Sequence, residues 1–251
     1  MTLDLTTLKP TKNIEAPRIV LYSTPKWGKT TLAASIPNNL LLDVEGGSGA
    51  VNVARVERDK LSTFTDFKAT LKQVYDQKHD FKVLTTDTAD WLEGLVFNQA
   101  AAEHGKKNVE DVGYGVGFAT AQNLWREIFD CFDLLRKERN MMILMLAHEK
   151  VGKYNNPLTE SYDRYSLKIH DKTVGLIKEW ADVVAFANND TFIKSEDAGF
   201  NKKLKRATAG DRVIHVVESP AYVAGNRYGL PAELPANWPA LQDALATAMT
   251  A

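Results

Sequence analysis

Cysteine is nearly absent from this chain: Cys131 is the only one in 251 residues. It can form no internal disulfide, and no cysteine pair exists to build a zinc site. The five histidines show no metal-ligand spacing either. Charge of one sign is missing too, because 31 basic residues face 32 acidic ones and leave a formal net charge of −1. Binding to a polyanion therefore has to rest on local patches, not on a global field. No hydrophobic run is long enough to span a bilayer, and Met1 is not followed by a charged-then-apolar leader. The expectation is a cytoplasmic protein with no membrane partner. What remains is an ordinary globular composition, 44% hydrophobic and 25% charged, in a chain long enough to bury one large core.

Against that background one stretch is informative: Ser23-Thr24-Pro25-Lys26-Trp27-Gly28-Lys29-Thr30-Thr31. It follows the apolar run Ile19–Tyr22 and precedes the helix-like Leu32–Ile36. Strand, loop, Gly-Lys-Thr and helix make the phosphate-binding P-loop pattern, with Ser23 in the place of the first glycine. Loop N–H groups converge on the phosphates. Gly28 permits close backbone approach, Lys29 reaches the β/γ-phosphates, and the Thr30 hydroxyl faces Mg²⁺. ATP and Mg²⁺ are the expected cofactors.

Strand-like and helix-like segments then alternate. Leu40–Val44 is apolar and ends at Glu45-Gly46-Gly47; Phe81–Thr86 ends at Asp87; Met141–Ala147 ends at His148-Glu149. Between them, apolar residues at three- and four-residue spacing predict helices around 64–75, 90–103 and 124–135. Such alternation predicts an α/β fold with a mostly parallel central sheet flanked by helices. Residues 1–17 read as an N-terminal arm before a single domain over 18–251. Its core ends near 190, and an antiparallel hairpin over 202–218 and a last helix over 238–249 follow.

Polar residues closing parallel strands sit where such sheets bind ligands. Asp87 fits the acid that holds the Mg²⁺ shell, and also fits a cap for the next helix. Glu45 fits the base that activates the attacking water. Asp43 competes with it, since strand alternation points both the same way. His148 reads either as a structural histidine or as a contact that senses the γ-phosphate. Two polar segments suit either single-stranded nucleic acid, where aromatics stack bases and cations meet phosphates, or a mobile or oligomer-packing loop. One is a glycine loop at 113–118 with Tyr114 and Phe118. The other is a loop at 150–165 with Lys150, Lys153, Tyr154, Tyr162 and Arg164.

Taken in order, the P-loop, Leu-Leu-Leu-Asp-Val-Glu-Gly-Gly, Thr-Thr-Asp and Leu-Ala-His-Glu resemble the RecA-like core. More narrowly, the chain resembles the bacteriophage AAA-type ATPases of the Sak-four group, RecA-related single-strand annealing or recombination proteins. Tyr114–Phe118, Ile177–Asp182 and Asn226–Pro231 carry the same likeness, which runs from about Arg18 to Leu241. The resemblance implies an ATPase stimulated by single-stranded DNA, working as a homo-oligomer and alongside a single-strand-binding protein. It implies Glu45 as catalytic base, Asp87 as the Mg²⁺-side acid and His148 as sensor. Arg227 would reach a neighbouring subunit's nucleotide. Gly225 departs from the pattern, standing where a lysine is expected. The competing readings are a small-molecule phosphotransferase and an ATP-binding scaffold with little turnover. A phosphotransferase needs a lid with several arginines, and only Arg136 and Arg139 lie near the right region.

Overall fold

The computed structural model describes residues 15–197 and 203–250, and within 191–209 it describes no side chains. Most of the arm expected at 1–17 therefore lies outside the described residues. The chain runs β1 (Arg18–Ser23), α1 (Lys29–Ala34), β2 (Asn39–Asp43), β3 (Ala54–Val56), α2 (Phe64–Asp76), β4 (Val83–Asp87) and α3 (Ala89–Glu103). It continues through α4 (Val116–Arg139), β5 (Met142–Tyr154), β6 (Tyr162–Leu167), α5 (Asp171–Trp180), β7 (Val183–Asp197) and β8 (Lys203–His215). Two short strands, β9 (Gly225–Asn226) and β10 (Glu233–Pro235), precede α6 (Trp238–Thr250).

Among the described residues, ten strands form one sheet ordered β10-β8-β7-β1-β5-β4-β2-β3, with β6 on β5 and β9 on β7. From β7 to β3 every pairing is parallel. The pairings of β8, β9 and β10 are antiparallel. Helices cover both faces, which is why β1, β2 and β4 are buried along their length and read as continuous apolar runs. On one face, Phe67, Leu92, Trp125, Phe132 and Ile177 of α2–α5 pack over Val20, Leu42 and Met145. On the other, Ala33 of α1 and Leu241 and Leu245 of α6 pack over Leu21, Leu144 and Ala185. The carboxyl ends Ser23, Asp43, Asp87 and His148 consequently share one edge, and β5 inserts between β1 and β4.

Three local expectations are corrected. The loop expected at 150–165 is mostly a hairpin: β5 runs on to Tyr154 and pairs with β6 from Glu149↔Leu167 to Tyr154↔Tyr162. Pairing satisfies backbone groups that an extended loop would leave to water. The glycine loop at 113–118 is a single 3₁₀ turn followed directly by α4. Gly117 is helical there and packs so closely that a Cβ would lie 2.5 Å from the Val109 carbonyl oxygen. Finally, 203–215 is one strand whose hairpin partner is β7, not a hairpin folded on itself. The core limit near 190 falls inside β7, beside the register shift between Asn189 and Thr191. Gly210 and Asp211 of β8 stand opposite the single Asp190 of β7 there, a bulge in β8 that bends the pairing without ending either strand.

Candidate nucleotide site

The loop after β1 takes the form its sequence dictates. Lys26 and Gly28 both have positive φ, 64° and 112°, so the chain doubles back before α1 starts at Lys29. Glycine adopts such a φ without steric cost, which explains Gly28. Lys29 is 5% exposed. Its Nζ donates to the Ser23 carbonyl at 3.2 Å, the Ser23 hydroxyl at 3.2 Å and the Thr24 carbonyl at 3.1 Å. Ser23, in the first glycine's place, thus adds an acceptor for the lysine. Burial holds the Lys29 ammonium below the usual lysine pKa, against the pull of Asp87, Asp90 and Glu45.

Thr30 and Asp87 come together across β1 and β4: the Thr30 hydroxyl donates to Asp87 Oδ2 at 2.7 Å. Asp87 is 3% exposed. Burial pushes its carboxyl up to about 6, opposed by the Thr30 hydrogen bond and reinforced by the nearby charges of Glu45 and Asp43. A carboxylate kept costly in this way is a ready partner for a cation.

Asp43 and Glu45, rivals in the sequence, have different surroundings. Asp43 is buried and turned into the loop behind it, accepting from the N–H of Gly46 at 2.7 Å, Gly47 at 3.1 Å and Ser48 at 3.1 Å. The Ser48 hydroxyl adds a fourth bond at 2.5 Å. Glu45 is half-buried; its carboxylate accepts from the Thr88 hydroxyl at 3.4 Å, its carbonyl accepts from Arg58 at 3.2 Å, and its backbone N–H donates to the Asp87 carbonyl at 3.0 Å. The alternation expected to align the two acids fails because β2 ends at Asp43. Asp43 holds the loop; Glu45 keeps its lone pairs toward the Lys29–Asp87 edge.

A sequence profile described as an AAA domain matches residues 15–228, most of the chain. The chain belongs to the AAA domain family. This AAA domain is accordingly an ATP-binding P-loop ATPase. No curated protein matches its sequence. Among the described residues no helix is long and apolar enough to cross a membrane.

His148 enters the AAA domain's edge paired in register with Ser23, and it is held from α3. Asp90 Oδ1 accepts from the His148 backbone N–H at 3.0 Å, and Oδ2 lies 2.9 Å from Nδ1. Burial works to raise the Asp90 carboxyl, but the His148 contacts outweigh it and hold the pKa below the ordinary range. One turn along α3, Glu93 is 7% exposed and accepts from the His170 N–H at 3.1 and 2.9 Å. It anchors the start of α5. Neither contact was legible in the sequence, since 58 and 77 residues separate the partners.

Arg227 lies at the other end of the sheet. Its backbone N–H donates to the Asp182 carbonyl at 2.9 Å, its Nη1 pairs with Asp182 at 3.2 Å, and its Nη2 reaches the Glu179 carbonyl. Asp182 also binds Arg18 at 2.8 Å and Arg136 at 3.3 Å, so the arginine joins an ion-pair cluster below β1 and β7. It contributes nothing to its own chain's P-loop.

The candidate nucleic-acid residues divide. Lys150 donates to the Ile169 carbonyl at 2.7 Å and Asp171 at 2.8 Å. The Arg164 guanidinium lies 3.9 Å over the Tyr154 ring, and Tyr162 packs 5.5 Å from Tyr154. Lys150, Lys153, Tyr154, Arg164 and Lys178 line a cleft of about 520 Å³ between the hairpin and α5, with Asp171 as the only acid among its described lining residues. On the other segment Tyr114 is fully exposed, but Phe118 stacks on His170 at 4.5 Å and is occupied within the fold.

Proposed function

We propose that this AAA domain hydrolyses ATP with Mg²⁺ and couples that cycle to single-stranded DNA in recombination or annealing. The observation that carries the ATPase chemistry is the Thr30–Asp87 contact at 2.7 Å with Glu45 beside Thr88. Mg²⁺ fits these residues, because a hydroxyl and a buried carboxylate are hard oxygen donors. Among the described residues no cluster of three or more metal-ligating side chains exists. That suits an ion held by one or two protein oxygens plus substrate phosphates. Thr30 and Asp87 would hold it, and when bound it neutralises charge on the phosphate oxygens. Lys29 supplies a fixed cation, Glu45 takes the proton of the attacking water, and His148 meets the γ-phosphate side from β5.

The cleft beside the β5–β6 hairpin supports the DNA half of the reading: four cations and the Tyr154 ring, backed by Tyr162, converge there in a nearly neutral chain. Its connection to the nucleotide edge is short, because β5 carries both His148 and Lys150. Arg136 and Arg139 offer no lid for a phosphotransferase: Arg136 pairs with Glu15 and Asp182, and Arg139 reaches the Tyr75 carbonyl.

The deciding measurement is the ATPase rate with and without single-stranded DNA, repeated on Arg164→Ala and Tyr154→Ala. Stimulation by DNA that is lost in both variants supports the coupling. Hydrolysis indifferent to DNA, together with no DNA binding in any nucleotide state, leaves an ATPase without this partner.

A further inference from the structure

Beside the P-loop, on the side away from Asp87 and Glu45, lies a cleft of about 400 Å³. Thr24, Pro25, Lys26 and Trp27 form its floor; Asn188, Asn189 and Arg212 come from β7 and β8, and Tyr165 and Phe186 add two rings. Among the described residues no acid lines it, although two cations do. Arg212 is the unexpected member. It stands opposite Asn189 in the β7–β8 ladder and leans over the loop. A Cβ at Gly28 would come 2.9 Å from its Nη1, and its Cζ lies 5.7 Å from the Trp27 ring centroid. The residue is exposed, and no described carboxylate pairs with it.

An arginine resting on the central glycine of a phosphate-binding loop, with a second cation nearby and no described acid to neutralise either, is arranged for a polyanion. We propose that Arg212 is a nucleotide-binding residue acting in cis, its guanidinium contacting the phosphate chain of the nucleoside triphosphate held over Gly28. This rests on the reading of 23–30 as the phosphate loop. Arg212 thereby gives the site an arginine from its own chain, whereas Arg227 can serve only a neighbour's. The planar fork of the guanidinium suits two phosphate oxygens at once, which a lysine cannot match.

The test is equilibrium binding of ATP and of inorganic tripolyphosphate to the full-length protein, its Arg212→Ala and Arg212→Lys variants, and Lys29→Ala. Arg212→Ala is expected to weaken both ligands about 10- to 100-fold, the scale of a charge-assisted hydrogen bond. Arg212→Lys recovers part of that loss. Weakened ATP with unchanged tripolyphosphate overturns the phosphate contact. Unchanged binding of both, while Lys29→Ala loses both, overturns Arg212 and leaves the loop reading intact. If Lys29→Ala also binds normally, the loop reading itself falls. Mixing Arg212→Ala with Lys29→Ala subunits separates cis from trans. A cis residue allows no rescue of hydrolysis, because every site then carries one defect; rescue overturns the assignment.

Discussion

Asp90 holds His148 by two bonds at once, one to the backbone N–H at 3.0 Å and one to Nδ1 at 2.9 Å. Asp90 follows Asp87 by three residues, so the histidine's position is set from the same segment that carries Asp87. Removing the carboxylate is expected to cost about 1.5–3 kcal/mol of stability, the value of hydrogen bonds to a charged group. Asp90→Ala should also slow hydrolysis more than it weakens ATP binding. In Asp90→Asn the pH dependence is the check. The folded pKa of Asp90 is depressed, so its stabilisation is present above the unfolded carboxylate pKa of about 3.9 and lost as pH falls through the lower folded value. Thermal melts of wild type and Asp90→Asn should therefore converge in acid; a gap that persists there refutes the charged contact.

Glu45 and Asp43 should fail differently. If Glu45 is the general base proposed, Glu45→Gln should slow hydrolysis roughly 10²- to 10⁴-fold and leave ATP affinity in place. Asp43→Asn instead breaks a carboxylate bonded to three backbone N–H groups and a hydroxyl. It should lower the melting temperature and ATP binding together. Full turnover in Glu45→Gln would move the base elsewhere.

Asp87 sets a pH dependence of opposite sign. Its folded pKa is pushed up to about 6, chiefly by burial. Its favourable contribution is therefore complete below about 3.9 and lost as pH rises through about 6. Metal-free Asp87→Asn should be more stable than wild type above pH 6, by on the order of 3 kcal/mol, and no more stable near pH 4. Denaturant titrations across that range decide it. ATP with Mg²⁺ should restore the wild type and leave the variant behind.

Gly117→Ala tests the packing at the head of α4. A Cβ there meets the Val109 carbonyl oxygen at 2.5 Å and the Val112 Cβ at 2.9 Å. Overpacking typically costs about 1–3 kcal/mol, which outweighs alanine's better helix propensity of about 1 kcal/mol. A variant as stable as the parent would mean that the turn before α4 yields freely.

Arg227→Ala should leave ATP binding intact and reduce hydrolysis if the residue completes a neighbour's site, as an arginine finger does. Mixtures with Lys29→Ala then regain activity at interfaces that join an intact loop to an intact arginine. Absence of rescue in mixtures shown to co-assemble removes the finger.

What the sequence made legible follows how local each signal is. Leu40–Leu42 and Leu144–Leu146 are buried on both faces, so their apolar runs named parallel strands directly. The Gly28-Lys29-Thr30 motif is contiguous and named its own loop. The β6 half of the hairpin was missed because Tyr162–Leu167 alternates intermediate and exposed residues and carries little apolar signal. Asp90 read only as the start of a helix, since its partner lies across the sheet. Arg212 gave no signal at all: a strand-borne arginine becomes interesting only when β8 is seen to reach the loop.

The placement of Arg227 also constrains symmetry. Its anchor Asp182 abuts Arg18, where β1 begins, whereas the P-loop follows Ser23, where β1 ends. Six residues of strand at about 3.3 Å each separate them by nearly 20 Å. If Arg227 completes a neighbour's site, a dyad dimer can meet that need only in antiparallel apposition, where each subunit's lower end faces the other's upper edge and both sites are completed at once. Head-to-tail stacking meets it with one such contact per interface, and those contacts close into rings or run on as helical filaments. In a filament the terminal subunits are unequal: one exposes a loop with no arginine above it, the other an arginine with no loop to serve. Polarity, and with it a preferred end for growth and loss, would be inherent in a filament of that kind, and absent from the dyad pair.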